Sequence, residues 1–139
     1  MKAFVIILLS LFLTKSCSEQ KNLEQIEVQY IAETRGYYNS VKIENNKFFV
    51  IDVRNGEPRE ITLKKNEWKL LLDLFNDIDL ITFEKLLGAT NEREYDKRPF
   101  GNLFITKKNK RYKTKGFDHT IPPKEIKSFV DLILLFAKK

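Results

Sequence analysis

Cysteine, histidine and tryptophan each occur once in the 139 residues, with five glycines and four prolines. A lone cysteine closes no internal disulfide. A lone histidine, with no second histidine or free cysteine to join it, makes no transition-metal site. Asp77 and Asp79 lack the loop of a calcium site. No metal and no cofactor is therefore expected. The scarcity of glycine and proline excludes a low-complexity or disordered chain. There is no glycine-rich phosphate loop and no strand–helix–strand alternation, which excludes a doubly wound nucleotide-binding fold. No apolar run approaches the roughly 20 residues a membrane-spanning helix needs. Charge of one sign is not in great excess: 25 Lys and Arg stand against 19 Asp and Glu, a net +6. That is not the footprint of a dedicated nucleic-acid binder.

What is present starts at the first residue. Met1-Lys2 is followed by the apolar run Ala3–Leu13, then Thr14-Lys15-Ser16-Cys17. A charged start and a short hydrophobic core fit a secretory signal better than an anchor. Polar residues follow at once, so no stop-transfer segment exists there. Cys17, at the end of the run, has a use if its sulfur carries a diacylglycerol. The site resembles the lipobox of bacterial lipoproteins, with Ser16 as the small residue before the cysteine. Lys15 and Thr14 loosen the box in the manner of Bacteroidetes-type lipoproteins. The expected division is a signal peptide over 1–16, a lipidated tether over 17–25 and one domain over 26–139. Cleavage would leave 23 basic against 19 acidic residues, a net +4. The expected address is the cell envelope, lipid-anchored, with the outer membrane favoured because Ser18 is no inner-membrane retention cue.

Period-2 patterning predicts the strands. Ile26, Val28, Tyr30 and Ala32 alternate with Glu27, Gln29, Ile31 and Glu33. Arg35-Gly36 is a turn, and Tyr38–Glu44 a second strand. Asn45-Asn46 suits a two-residue hairpin turn, because asparagine tolerates positive φ. A third strand over 47–53 and a short fourth over 58–63 follow. Trp68, Leu71, Leu72 and Phe75 lie three and four apart and predict a helix over 65–76. Thr82–Leu87 reads as a further helical turn capped by Gly88. After a polar loop over 89–99, residues 100–107 and 110–117 form a second hairpin across Lys108-Asn109. Pro122-Pro123 opens a last helix reaching about Ala137, with Ile126, Phe129, Val130, Ile133 and Ala137 inward. The expected class is α+β: an antiparallel sheet of two hairpin groups, about six strands, with helices on one face.

The frame Thr34-Arg35-Gly36, Trp68 in an amphipathic helix, Ala89-Thr90-Asn91-Glu92-Arg93, and Phe117-Asp118-His119 before Pro122-Pro123 resembles a family of small Bacteroidetes lipoproteins of unknown function. The resemblance covers most of the chain after Cys17. It implies a fold and an address and brings no catalytic residues.

Three groups carry candidate chemistry. If Asn45-Asn46 is a tight turn, Ile43 faces Phe48 and Val41 faces Val50 on the covered side, so Phe49, Ile51 and Val53 point to the other. A tight turn at Lys108-Asn109 likewise sends Phe104, Arg111 and Lys113 outward. The uncovered face then offers an aromatic and aliphatic strip edged by cations, a contact surface for an envelope protein or an anionic glycan. The basic run Lys107, Lys108, Lys110, Arg111, Lys113, Lys115 reads as a salt-sensitive contact for anionic glycan or lipid headgroups, or as a sheet edge kept soluble by lysine. The loop 89–99, with Arg93 and Tyr95, is a second contact candidate. His119 beside Asp118 is the third: a general base with its carboxylate, or simply the turn into the last helix. The expected function is a non-enzymatic, lipid-anchored binding or interaction module, its partners a membrane and an envelope component, not nucleic acid. The alternatives are an envelope hydrolase using His119 and Asp118, and an inhibitor- or immunity-like protein acting through loop 89–99.

Overall fold

In a computed structural model of the chain, residues 25–95 and 97–139 are described. The expected signal peptide over 1–16, Cys17 and the expected tether up to residue 24 lie outside the described residues. The elements are β1 (Ile26–Thr34), β2 (Tyr37–Glu44), β3 (Lys47–Ile51), β4 (Arg59–Ile61), α1 (Lys65–Asn76), β5 (Phe100–Lys107), β6 (Lys110–Lys113), β7 (Phe117–Asp118) and α2 (Lys127–Phe136). They form an antiparallel sheet in the order β4-β3-β2-β1-β5-β6, with β7 paired to β5. This is an α+β fold with an open sheet of seven strands.

Two tight turns set the register. Asn45 and Asn46 have φ of 49° and 56°, and Lys108 and Asn109 have 49° and 61°. Positive φ at both central residues matches the right-handed twist of the flanking strands. Val41 therefore opposes Val50, Ile43 opposes Phe48, and Ile105 opposes Tyr112. β1 lies at the centre, with β2 on one side and β5 on the other.

The alternation expected in β1 is present. Ile26, Val28, Tyr30 and Ala32 are all buried, and they share a face with Val41, Ile43, Phe48, Val50, Leu103 and Ile105. The helices cover that face. Phe136 of α2 meets Phe48 edge-on at 6.3 Å, and Phe75 of α1 packs on Phe129 of α2 at 5.9 Å. Leu71 and Phe75 are the buried part of the α1 stripe, with Trp68 and Leu72 packed at its margin. In α2 Phe129, Val130, Ile133 and Phe136 are buried.

Several expectations need correction, the fourth strand among them, which spans only Arg59–Ile61 and not 58–63. The strand expected over 110–117 is two. Thr114 ends β6: its amide donates to Leu103 O, and its hydroxyl accepts from Leu103 N–H, each at 3.0 Å. A side-chain oxygen stands where the ladder carbonyl would be, so the chain departs and re-pairs at Phe117. The third strand stops at Ile51, and Val53 lies in the following turn, 63% exposed. Residues 83–85 form only a 3-10 turn. Gly88 is no left-handed cap. It sits against Phe117, whose Cβ would be 2.9 Å from a Cβ on residue 88. The last helix begins at Lys127, because tighter i to i−3 bonds from Ile126 to Pro123 and from Lys127 to Lys124 follow the proline pair.

The sheet has two ends. At one, β1 begins and both tight turns lie beside it, since Ile26 pairs with Lys107 and Glu44 with Lys47. At the other, β1 ends at the Arg35-Gly36 turn, where Gly36 has φ 77° and Phe100 pairs with both Glu33 and Asp118. The nine residues of β1 separate these ends by roughly 26 Å, at about 3.3 Å per residue.

Candidate functional site

The uncovered face is built in rows across the strands. One row runs Phe49, Lys42, Gln29, Phe104, Lys113, and the next runs Ile51, Ser40, Ile31, Asn102. Phe49, Ile51, Phe104, Arg111 and Lys113 thus share one face. The strip is not continuous, because Lys42 and Gln29 separate Phe49 from Phe104. The cations come closest to Phe104: the Arg111 guanidinium carbon lies 4.3 Å and Lys113 Nζ 5.5 Å from its ring centroid. An aromatic ring attracts such cations through its quadrupole and holds them in place.

Charge is shared unevenly. Lys42 bridges Glu44 (2.8 Å) and Glu27 (3.7 Å), Lys47 pairs with Glu60, and Arg54 with Glu33. Among the described residues, none of Lys107, Lys108, Lys110, Arg111, Lys113 and Lys115 has a carboxylate partner within 4.0 Å. Their hairpin holds the β6 edge of the sheet. A recess of about 430 Å³ lies between the two tight turns, lined by Gln25, Glu27, Glu44, Asn45, Lys108 and Asn109 among others.

Asp118 and His119 follow one another in the chain and go to different partners. The Asp118 carboxylate is fully buried. It accepts bonds from the amides of Glu92 (2.8 Å) and Arg93 (2.9 Å), from the Thr90 hydroxyl, and from Arg93 Nη1 at 3.1 Å. Burial alone would raise its pKa. The bonds from Thr90, the two amides and Arg93 outweigh it and bring the carboxyl to about 2. Asp118 therefore anchors the 3-10 turn over Glu92–Tyr95, not the last helix. Arg93 lies inside this clasp, with a second bond to the Thr90 carbonyl at 2.7 Å. Tyr95 is 74% exposed on the outside of the loop.

His119 sits between two tyrosines. Tyr30 Oη is 2.7 Å from Nδ1 and Tyr37 Oη is 3.1 Å from Nε2. Tyr30 also accepts a backbone hydrogen bond from Thr120. Among the described partners of the Tyr30 hydroxyl, Nδ1 is the one that can accept its proton, and in that arrangement the ring proton sits on Nε2 and donates to Tyr37. This is the neutral tautomer, and burial, followed by the Arg98 cation, holds the His119 pKa below its ordinary 6.5. Burial raises the Tyr30 hydroxyl well above its ordinary value, and that of Tyr37 to a lesser degree, with Asp52 adding to the second. Thr120 takes φ 70°, which is strained for a β-branched residue.

A cleft of about 390 Å³ opens there, lined by Tyr37, Asn39, Asp52, His119, Thr120, Leu134, Ala137 and Lys138. It holds hydroxyls and a carboxylate near the ring. Asp52, however, bonds Asn39 at 3.1 Å and pairs with Arg59 at 3.6 Å, and among the described residues neither imidazole nitrogen bonds a carboxylate. The orienting role that a hydrolase reading gives Asp118 is not played by it in this geometry. The tyrosine partners escaped the sequence reading. The available signal was Tyr30 on an otherwise apolar strand face, since a buried tyrosine hydroxyl requires a partner.

Among the described residues, no cluster of three or more His, Cys, Asp or Glu side chains could hold a metal ion. Nor is any described helix long and apolar enough to cross a membrane. No protein-family model, curated protein or solved structure matches the chain.

Proposed function

We propose that this protein is a lipid-anchored, non-enzymatic binding module of the cell envelope, held in the outer membrane through Cys17. The observation that carries the reading is the order of residues 1–17: a lysine, a short apolar run, then Ser16-Cys17 directly before polar sequence. The site geometry supports the non-enzymatic part. A histidine general base is typically oriented by a carboxylate on one ring nitrogen, with the other nitrogen reaching a nucleophile or water. Both ring nitrogens of His119 are engaged by tyrosines, and the neighbouring carboxylate is spent on a loop. The partner chemistry is anionic, because six cations crowd the short β5–β6 hairpin and its exit with no described carboxylate among their partners.

Incorporation of radiolabelled lipid into the protein in a lipoprotein-processing host tests the anchor. Wild type takes up label and Cys17→Ala does not. Label persisting in the variant, or absent from wild type, defeats the reading.

A further inference from the structure

We propose that the tip of the β5–β6 hairpin is a second membrane contact, which lays Lys107, Lys108 and Lys110 against anionic phospholipid headgroups beside the lipid anchor. The placement argument rests on the Cys17 anchor reading. The charge argument does not.

Placement comes from register. Ile26 begins β1 directly opposite Lys107, the last residue of β5. The chain from Cys17 to Gln25 has nine residues, which reach at most about 30 Å when extended. A lipid on Cys17 therefore keeps the start of β1, and the sheet end it belongs to, within about 30 Å of the bilayer. The Lys108-Asn109 turn is the neighbouring tip at that end, and both residues line the same recess as Gln25.

Charge comes from the ion-pair pattern. Two described acids at this end are already met: Glu27 and Glu44 share Lys42. Lys108 and Lys110 are exposed, Lys107 is half-buried, and none has a described carboxylate partner. Bare cations within a Debye length of an anionic surface are attracted to it, and the attraction fades with salt. A diacylglycerol already holds the chain with two acyl groups, so the lysines would set how the domain lies on the surface rather than whether it stays there. Lysines that served only to guard the β6 edge would show no dependence on lipid charge beyond that of net charge.

The test is partitioning of the full chain between buffer and vesicles. One set is phosphatidylcholine and the other phosphatidylcholine with phosphatidylglycerol, each at low and high salt. Every protein compared carries the same residues 1–24, so the apolar run at 3–13 and its flanking Lys2 and Lys15 add the same baseline to each, and the preference is read as the excess over it. Wild type should prefer the anionic vesicles by about tenfold at low salt, with the preference collapsing at high salt. Lys107→Gln/Lys108→Gln/Lys110→Gln should abolish the preference. Arg35→Gln/Lys97→Gln/Lys138→Gln removes equal charge at and around the far end and should keep it. Circular dichroism checks that both variants fold. Equal partitioning of wild type, a preference surviving the hairpin substitutions, or equal loss in both variants overturns the proposal. So does release of wild type from anionic vesicles by a soluble polyanionic polysaccharide at lower charge concentration than the lipid, which would assign the hairpin to a glycan. Failure of lipid labelling at Cys17 defeats the anchor and leaves the vesicle result standing.

Discussion

Tyr30 Oη lies 2.7 Å from His119 Nδ1, joining the middle of the central strand to the chain just before the last helix. The bond is buried at its tyrosine end. Replacing Tyr30 by Phe leaves Nδ1 and the Thr120 amide without this partner. The expected cost is about 1–3 kcal/mol. Tyr37→Phe, at the exposed side of the ring, should cost about 0.5 kcal/mol or less. Urea denaturation of the two variants measures the contrast.

His119 also sets a pH dependence. Its folded pKa lies below the ordinary 6.5, from burial and then Arg98. Above 6.5 both states are neutral and its contribution is fully present. As pH falls from there toward the folded value, the unfolded chain binds a proton that the folded one refuses, and stability drops. Denaturation midpoints of wild type should fall between neutral pH and about pH 5. In His119→Gln that part of the slope should vanish, and a slope unchanged by the substitution contradicts the assignment.

Asp118 acts in a more acidic window. Its folded pKa of about 2 lies below the ordinary 3.8, so its contribution is present above the ordinary value and lost as pH falls toward 2. Asp118→Asn keeps the shape and removes the charge beside Arg93. About 3 kcal/mol should be lost at neutral pH, since a buried partner is left uncompensated. Hydrogen exchange should show the amides of Glu92 and Arg93 losing protection first.

Gly101 is constrained by its neighbours. A Cβ there would fall 2.7 Å from Phe117 Cε2 and 3.1 Å from Tyr30 Oη. Gly101→Ala should cost about 1–3 kcal/mol through overpacking. Its Tyr30–His119 bond should be disturbed as well, visible as a shift of the His119 ring resonances. Gly36→Ala meets no atom within 4 Å, so only its φ of 77° opposes the change. About 1 kcal/mol is expected there, with the His119 resonances unmoved.

The readable parts of this fold are local. Two asparagines, or Lys108-Asn109, announce a tight turn, and a two-residue turn sets every pairing along its hairpin. That is why Val41 and Val50, and Ile105 and Tyr112, could be paired in advance. The helix over Lys65–Asn76 follows from its apolar spacing. What escaped is non-local or depends on a single side chain. Thr114 ends a strand because its hydroxyl replaces a carbonyl, and nothing in the pattern of 110–117 marks that exchange. Pro122-Pro123 suits a first helical turn, yet the next residues wind more tightly before α2 starts. The pairing of His119 with Tyr30 and Tyr37 spans 89 and 82 positions, beyond any periodicity.

The central place of β1 has a consequence for the order of assembly. Its partner β2 follows after a two-residue turn, so that side can zip as soon as the chain reaches Glu44. Its other edge waits for Phe100–Lys107, more than sixty residues later. Contacts so distant carry the loop-closure cost that slows folding. A growing chain therefore holds an early meander with one bare edge at what becomes the middle of the sheet. The seam between β1 and β5, innermost in the finished molecule, closes late in its synthesis.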